Sequence, residues 1–275
     1  MLDLAALAPG LERRADGIWF ARLRGPVSYP DGGNALCLQL EDRSFWFRHR
    51  NRCIVSVVRR FSPAGCLLDI GGGNGYVAKG LADAGMPCTV LEPGIDGAVA
   101  ARARGLEQVI CARLEESGLP DSSVAAAGMF DVLEHIEAET EALRQVHAML
   151  RPGGCLFLTV PAYAFLHSAD DIAAGHFRRY TRASLTGAVV RAGFRVAYMT
   201  YLFAPLPLPV FLLRTVPSLL GLRRGVDEQR QATEHTQGGL AAIIIDRLLE
   251  HEARRIAAGG TVPFGTSCLA VAVKD

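Results

Sequence analysis

The stretch Asp69-Ile70-Gly71-Gly72-Gly73-Asn74-Gly75, directly after the apolar pair Leu67-Leu68, constrains the fold more than any other part of the chain. Glycines crowded together continue neither a strand nor a helix. They tolerate positive φ and let another molecule approach the backbone. Residues 75–84 then have the spacing of a helix, whose first unpaired N–H groups point into the turn. A buried strand, a glycine turn and a helix in this order belong to an α/β sheet and cradle a nucleotide-type ligand. The alternation continues. Apolar runs near 66–70, 87–91, 107–111, 124–130 and 154–160 are separated by amphipathic stretches near 75–84, 95–104 and 137–150. A mainly parallel sheet with helices on both faces is expected.

Two ligand classes compete for the glycine turn. Gly73-Asn74-Gly75-Tyr76-Val77-Ala78 fits G-x-G-x-x-A, the dinucleotide fingerprint. Asp69 argues against it, because a carboxylate at the strand end repels a pyrophosphate and suits a ligand carrying an amino group. Val90-Leu91-Glu92-Pro93 ends a second strand with an acid placed to accept from ribose hydroxyls. That acid fits either ligand, so Asp69 is the discriminating residue.

D-x-G-x-G-x-G followed by a strand ending in Glu92 resembles the class I S-adenosylmethionine-dependent methyltransferases, in particular a type 11/23-like bacterial subgroup. Phe130-Asp131-Val132-Leu133-Glu134-His135 resembles the element after that family's fourth strand, and Leu150-Arg151-Pro152-Gly153-Gly154 its turn before the fifth. The resemblance covers about residues 45–274. It implies a Rossmann-like, seven-stranded, mostly parallel sheet. It also implies that S-adenosylmethionine is held by Asp69, Gly71, Gly73, Asn74, Gly75, Glu92 and Pro93, by Arg113 and Leu114 near the adenine, and by Phe130 and Asp131. Residues 1–43 are expected to form a leader and 44–275 the methyltransferase domain.

Phe45-Trp46-Phe47-Arg48-His49-Arg50 opens a helix running to about residue 60. It either packs its aromatic face on the sheet edge or forms a lid, with Arg48 or Arg50 facing the cofactor's carboxylate as in related methyltransferases. Within the leader, Ile18-Trp19-Phe20 and Ala35-Leu36-Cys37-Leu38 read as two short strands.

The loop at 163–181 is too long for a plain connector and lies at the ligand-binding edge of an open sheet. Its Gly175-His176-Phe177-Arg178-Arg179-Tyr180-Thr181 resembles a segment of bacterial methyltransferases found beside sugar and cell-envelope enzymes. His176 is the first candidate for a base and His167 the second; Tyr163 and Tyr180 would shape the pocket. The arginines hold an anionic acceptor or pair with Asp170 and Asp171.

The last two strands are expected near 194–201 and 267–273, with roughly sixty residues between them where the family has a hairpin. Residues 202–222 are apolar but carry Pro205, Pro207, Pro209 and Pro217, which exclude a regular spanning helix. Arg223-Arg224 follows, a pair suited to meet anionic headgroups. Residues 240–257 read as an amphipathic helix with Ile244, Leu248 and Leu249 on its apolar side. This helical insertion, about 202–260, caps the sheet, forms a homodimer contact, or offers a greasy acceptor site or peripheral membrane contact.

Charge and cysteine usage set limits. Lys+Arg 29 against Asp+Glu 28 leaves no bulk attraction for nucleic acid. Seven scattered cysteines without a C-x-x-C pair fit reduced thiols and a cytoplasmic setting. The expected activity is therefore methyl transfer to a small-molecule, sugar or lipid-linked acceptor, by O-methylation, with no metal, since His135, His147, His167 and His176 lack the carboxylate arrangement of a metal site. The competing readings are an NAD-type oxidoreductase and a non-catalytic S-adenosylmethionine-binding partner subunit.

Overall fold

The structure is a computed structural model that describes residues 1–22, 37, 38, 40–222 and 240–275, with the backbone alone for 240–242. Among these residues nine strands form one sheet: β1 (Leu11–Arg13), β2 (Trp19–Ala21), β3 (Leu67–Ile70), β4 (Cys88–Leu91), β5 (Gln108–Cys111), β6 (Val124–Phe130), β7 (Leu150–Pro161), β8 (Arg195–Leu202) and β9 (Ser267–Val273). Their order is β1-β2-β5-β4-β3-β6-β7-β9-β8. The five pairings from β2 through β7 are parallel, and β1–β2, β7–β9 and β8–β9 are antiparallel.

Nine strands replace the expected seven because the leader is built into the sheet. Trp19 and Phe20 of β2 pair with Ile110 and Cys111 of β5, and β1 turns back on β2. Of the two leader strands expected, the first is therefore present. Cys37 and Leu38 are helical instead, while Ala35 and Leu36 fall outside the described residues.

Alternation along each strand sends neighbouring residues into two cores. Leu68, Ile70, Leu156 and Leu158 enter one, with Leu143 and Val146 of helix α5 (Glu139–Met149) and Leu185 and Val189 of α7 (Arg182–Arg191). Leu67, Val90 and Phe157 enter the other. There they meet α2 (Phe45–Phe61), α3 (Tyr76–Asp83), α4 (Ile95–Ala103) and α8 (Leu240–Ala257). The remaining labelled helices are α1 (Leu4–Leu7) and α6 (Ala169–Ala173).

The insertion divides into two parts. Short helical turns at Pro207–Val210, Phe211–Thr215 and Val216–Leu219 follow β8, the middle one wound as a π-helix. Helix α8 packs on α2 through Leu249, Ala253 and Ile256. Its buried face is offset from the expected one: Leu249 is buried, but Ile244 and Leu248 are exposed. Glu252 explains the offset. It is buried, it bonds His49 Nε2 at 2.7 Å, and it accepts from the Phe203 and Ala204 N–H groups at 2.6 and 2.7 Å. A polar residue thus lies at the centre of the packed face, and hydropathy alone assigns it to the wrong side.

Candidate active site

The order of strands reverses between β3 and β6, and ligands of open α/β sheets bind at the carboxyl ends beside such a point. The glycine turn lies there. Gly71 and Gly75 have φ of 66° and 74°, and a Cβ would come within 2.7 Å of Val132 at the first and 2.5 Å of Leu106 at the second. Both glycines therefore serve left-handed backbone and tight packing together. Gly73 donates its N–H to Glu92 Oε2 at 2.8 Å, while Glu92 Oε1 accepts from Gly94 N–H at 2.7 Å. Each Glu92 oxygen is thereby positioned by a backbone donor.

Asp69 is 1 % exposed and its Oδ2 has no hydrogen-bond partner. Burial pushes its pKa up to about 7; the Arg50 guanidinium opposes this and Glu92 reinforces it. A buried, unsatisfied carboxylate favours a cationic donor arriving from outside.

Arg50 is the buried cation of the site. It is ion-paired with Asp131, which has a φ of 57°, and its guanidinium lies 4.6 Å from the Trp46 ring. Burial lowers its pKa, against the fields of Glu41, Glu134 and Asp69 among others. Arg48 does not reach this region. It is exposed and donates to the Arg43 carbonyl at 2.8 Å. Two residues along a helix is a rotation of about 200°, so only one of the two arginines can face inward.

Other expected contacts are placed as follows. Asn74 is buried and donates to Glu41 Oε1 at 3.4 Å, and Glu41 pairs with Arg104 at 2.7 Å, so the segment before α2 closes over the glycine turn. Pro93 is half-buried after β4, and Phe130 is buried at the end of β6. Leu114 is half-buried against the core. Arg113 turns back on its own loop, bonding Glu116 Oε1 at 3.0 and 2.8 Å.

On the far side of the cleft the 163–181 loop is stitched onto the turn after β6. Phe177 N–H donates to the Glu134 carbonyl at 2.9 Å, and Arg178 donates to the Ile136 and Glu137 carbonyls at 2.8 and 2.9 Å. Arg179 bonds both Asp171 oxygens, whereas Arg178 pairs with Glu139. Asp171 also bonds His176 Nδ1 at 2.9 Å. Burial alone would raise the Asp171 carboxyl, but the bonds from His176 and Arg179 prevail and hold it well below the usual range.

Glu134, His135 and His176 converge, with ligand-type atoms all within 4.8 Å of one another. Glu134 and His135 are neighbours in the chain, and the fold brings His176, 41 residues further on, to meet them. Burial pushes Glu134 up to about 8 and His135 down to about 4, the latter assisted by His176. His167 follows the turn Ala164–Leu166, half-buried and outside this cluster. Tyr163, at φ 59°, stacks on Tyr201 and Phe165, and the buried Tyr180 donates to Glu139 at 2.7 Å. Glu41 and Glu134 are site residues that motif reasoning did not single out. Glu134 lay inside a quoted motif, but its orphaned oxygen is visible only in three dimensions.

Comparison with known proteins agrees with this geometry. A family model described as a methyltransferase domain matches residues 46–198. A "Probable S-adenosylmethionine-dependent methyltransferase" of Mycolicibacterium smegmatis is 28 % identical over 176 residues, 62 % of this chain and 67 % of that protein. A Xanthomonas axonopodis "Ubiquinone biosynthesis O-methyltransferase" is 31 % identical over 110 residues, 38 % of this chain and 46 % of that enzyme. Haemonchus contortus phosphoethanolamine N-methyltransferase 2, solved with S-adenosylmethionine, shares the fold at a TM-score of 0.53 and 16 % identity, covering 90 % of this chain and 58 % of that one. The strand-end acids, the glycine turn and the family match converge: the chain belongs to the methyltransferase-domain family, an S-adenosylmethionine-dependent methyltransferase.

Proposed function

We propose that the chain methylates a hydroxyl oxygen of an acceptor that carries an apolar tail. The observation that carries this reading is the apolar surface beside the acceptor-side loop. Leu208, Leu212, Leu213, Leu219 and Leu220 are exposed on the insertion, with Phe165 and Ile172 exposed on the loop. The two segments are joined: the Phe165 and Phe211 rings are 6.2 Å apart, and Ala169 N–H donates to Ser218 Oγ at 2.9 Å. An apolar patch of this kind marks a binding surface. The O-methyltransferase among the relatives supports oxygen as the acceptor atom.

The cofactor's requirements fit the residues present. The Glu92 carboxylate at the end of β4 suits a ribose diol, the orphaned Asp69 Oδ2 suits an ammonium, and Arg50 suits a carboxylate. Bound S-adenosylmethionine supplies an electrophilic methyl carbon on a sulfonium. The protein's task is alignment and control of the hydroxyl proton. The cluster of Glu134, His135 and His176 governs that proton, with Asp171 holding the His176 ring. No helix among the described residues is long and apolar enough to cross a membrane. Contact with a bilayer would be peripheral, through the leucine face. The seven free thiols suit a cytoplasmic location.

The test supplies methyl-labelled S-adenosylmethionine with organic and aqueous cell extracts. Label is expected in an organic-soluble methyl ether. Label confined to water-soluble N-methyl or S-methyl products would overturn the reading.

A further inference from the structure

Glu134, His135 and His176 form a cluster with three features that set it apart from a chance meeting of polar groups. Glu134 is 1 % exposed, yet its Oε2 has no hydrogen-bond partner. An unsatisfied buried polar atom costs about 1–3 kcal/mol, more when charged. The oxygen is therefore placed for something that the side chains do not supply. His176 commits Nδ1 to Asp171 at 2.9 Å. This bond makes Nδ1 the donor, so Nε2 is the nitrogen turned toward any ligand. A carboxylate on the far nitrogen is the arrangement that orients a histidine toward a metal. Finally, backbone hydrogen bonds, Phe177 to Glu134 among them, hold the two segments together before anything binds. Little ordering remains to be done at binding.

We propose that this cluster is a divalent transition-metal site, with Glu134, His135 and His176 as its protein ligands. Two imidazoles and one carboxylate suit zinc or manganese; calcium and magnesium favour all-oxygen sets. The ligand atoms lie within 4.8 Å of one another. Donors around zinc sit about 3.4 Å apart, from bond lengths of about 2.1 Å, so small rotamer changes close the site. Three protein ligands leave positions open, the property of a catalytic rather than a structural centre.

The consequence for methyl transfer rests on the proposed function, because it takes the acceptor hydroxyl to enter at this cluster. Coordination lowers the hydroxyl pKa. The O–H bond breaks and the proton passes to water. The oxygen then forms a bond to the methyl carbon as the sulfur–carbon bond breaks, and that electron pair stays on sulfur as a neutral thioether. His176 acts here as a ligand, and no separate base is required.

The experiment strips the purified chain with a chelator and titrates it with zinc and with manganese by calorimetry, with metal content measured in parallel. One equivalent is expected to bind. Glu134→Gln and His176→Ala should weaken binding by more than the roughly 10–100-fold that loss of an outer partner costs, and Asp171→Asn should fall within that range. His251→Ala, an exposed histidine on α8, should bind like the wild type. S-adenosylmethionine binding by each variant checks that it is folded. No stoichiometric binding, or binding untouched by Glu134→Gln and His176→Ala, overturns the proposal. Cation binding without methyl transfer to any hydroxyl would sink the acceptor reading and leave the site standing. Full transfer by a chelated enzyme that binds no cation would do the reverse.

Discussion

Asp69 and Glu92 both end strands and both are buried, but their surroundings differ. Glu92 is stabilised by two backbone N–H groups, whereas Asp69 Oδ2 has no donor. Glu92→Ala should weaken S-adenosylmethionine by about 1.5–3 kcal/mol, the range for hydrogen bonds to a charged group. Calorimetry reads this directly, and an unchanged affinity would remove Glu92 from the binding set. For Asp69 the consequence is pH dependence. Its folded-state pKa, about 7, lies above the ordinary 3.8. Folding therefore takes up a proton there, and this group's contribution to stability falls as pH rises from about 4 to 7. Binding an ammonium needs the ionised form, so S-adenosylmethionine affinity should fall by up to about tenfold per unit as pH drops below 7. Asp69→Asn should bind weakly and without this slope; a wild-type affinity flat from pH 5 to 8 would contradict the pairing. The identities of these acids were legible in the sequence, because glycine spacing and strand ends position them locally. The choice between Arg48 and Arg50 was not. Both occupy one helical turn, and only the packing of α2 decides which faces the cleft.

Helices α2 and α8 are tied through Glu252, whose carboxylate joins His49 to the Phe203 and Ala204 N–H groups. Phe203 has a left-handed φ of 64° and its ring stacks on Trp46 at 5.3 Å. Removing the carboxylate strands a buried donor at Phe203, a half-buried one at Ala204 and a buried histidine. Glu252→Ala should therefore cost about 3–5 kcal/mol in chemical denaturation, the range for breaking one side of a buried pair. A loss below about 1 kcal/mol would show that the insertion is docked by its apolar contacts alone. The existence of α2 and α8 follows from periodicity, and their bounds are close to expectation. The buried face of α8 does not follow, since the residue it centres on is an acid whose partners lie far away in the chain. The 163–181 loop shows the same limit. Its chemistry is written in its residue types, but the pairing of Arg178 with Glu139 and the meeting of His176 with His135 depend on the β6 turn.

At the scale of the molecule, the five central strands were legible because each is short, apolar and bounded by turns. β1 and β2 were harder to read, three residues each, and their place at the sheet edge depends on pairing with β5. The opposite edge carries the insertion, and its leucine face gives a whole-molecule prediction. Changing Leu212 and Leu219 to glutamate should raise the KM for a tailed acceptor by about tenfold, roughly 1.4 kcal/mol, with S-adenosylmethionine affinity unchanged. An unchanged KM would assign that face to another role; Arg223 and Arg224, expected to aid membrane contact, lie outside the described residues.

The proposed function divides the labour in two: the glycine turn with its strand-end acids holds the cofactor, and the His176 cluster acts on the acceptor. His176→Ala tests it most directly, with turnover and S-adenosylmethionine affinity measured on the same preparation. Turnover should fall by about 10²–10⁴-fold, the scale of a lost proton-handling group, while affinity for the cofactor stays within about twofold. Full turnover, or a loss of cofactor binding in parallel with turnover, would contradict it.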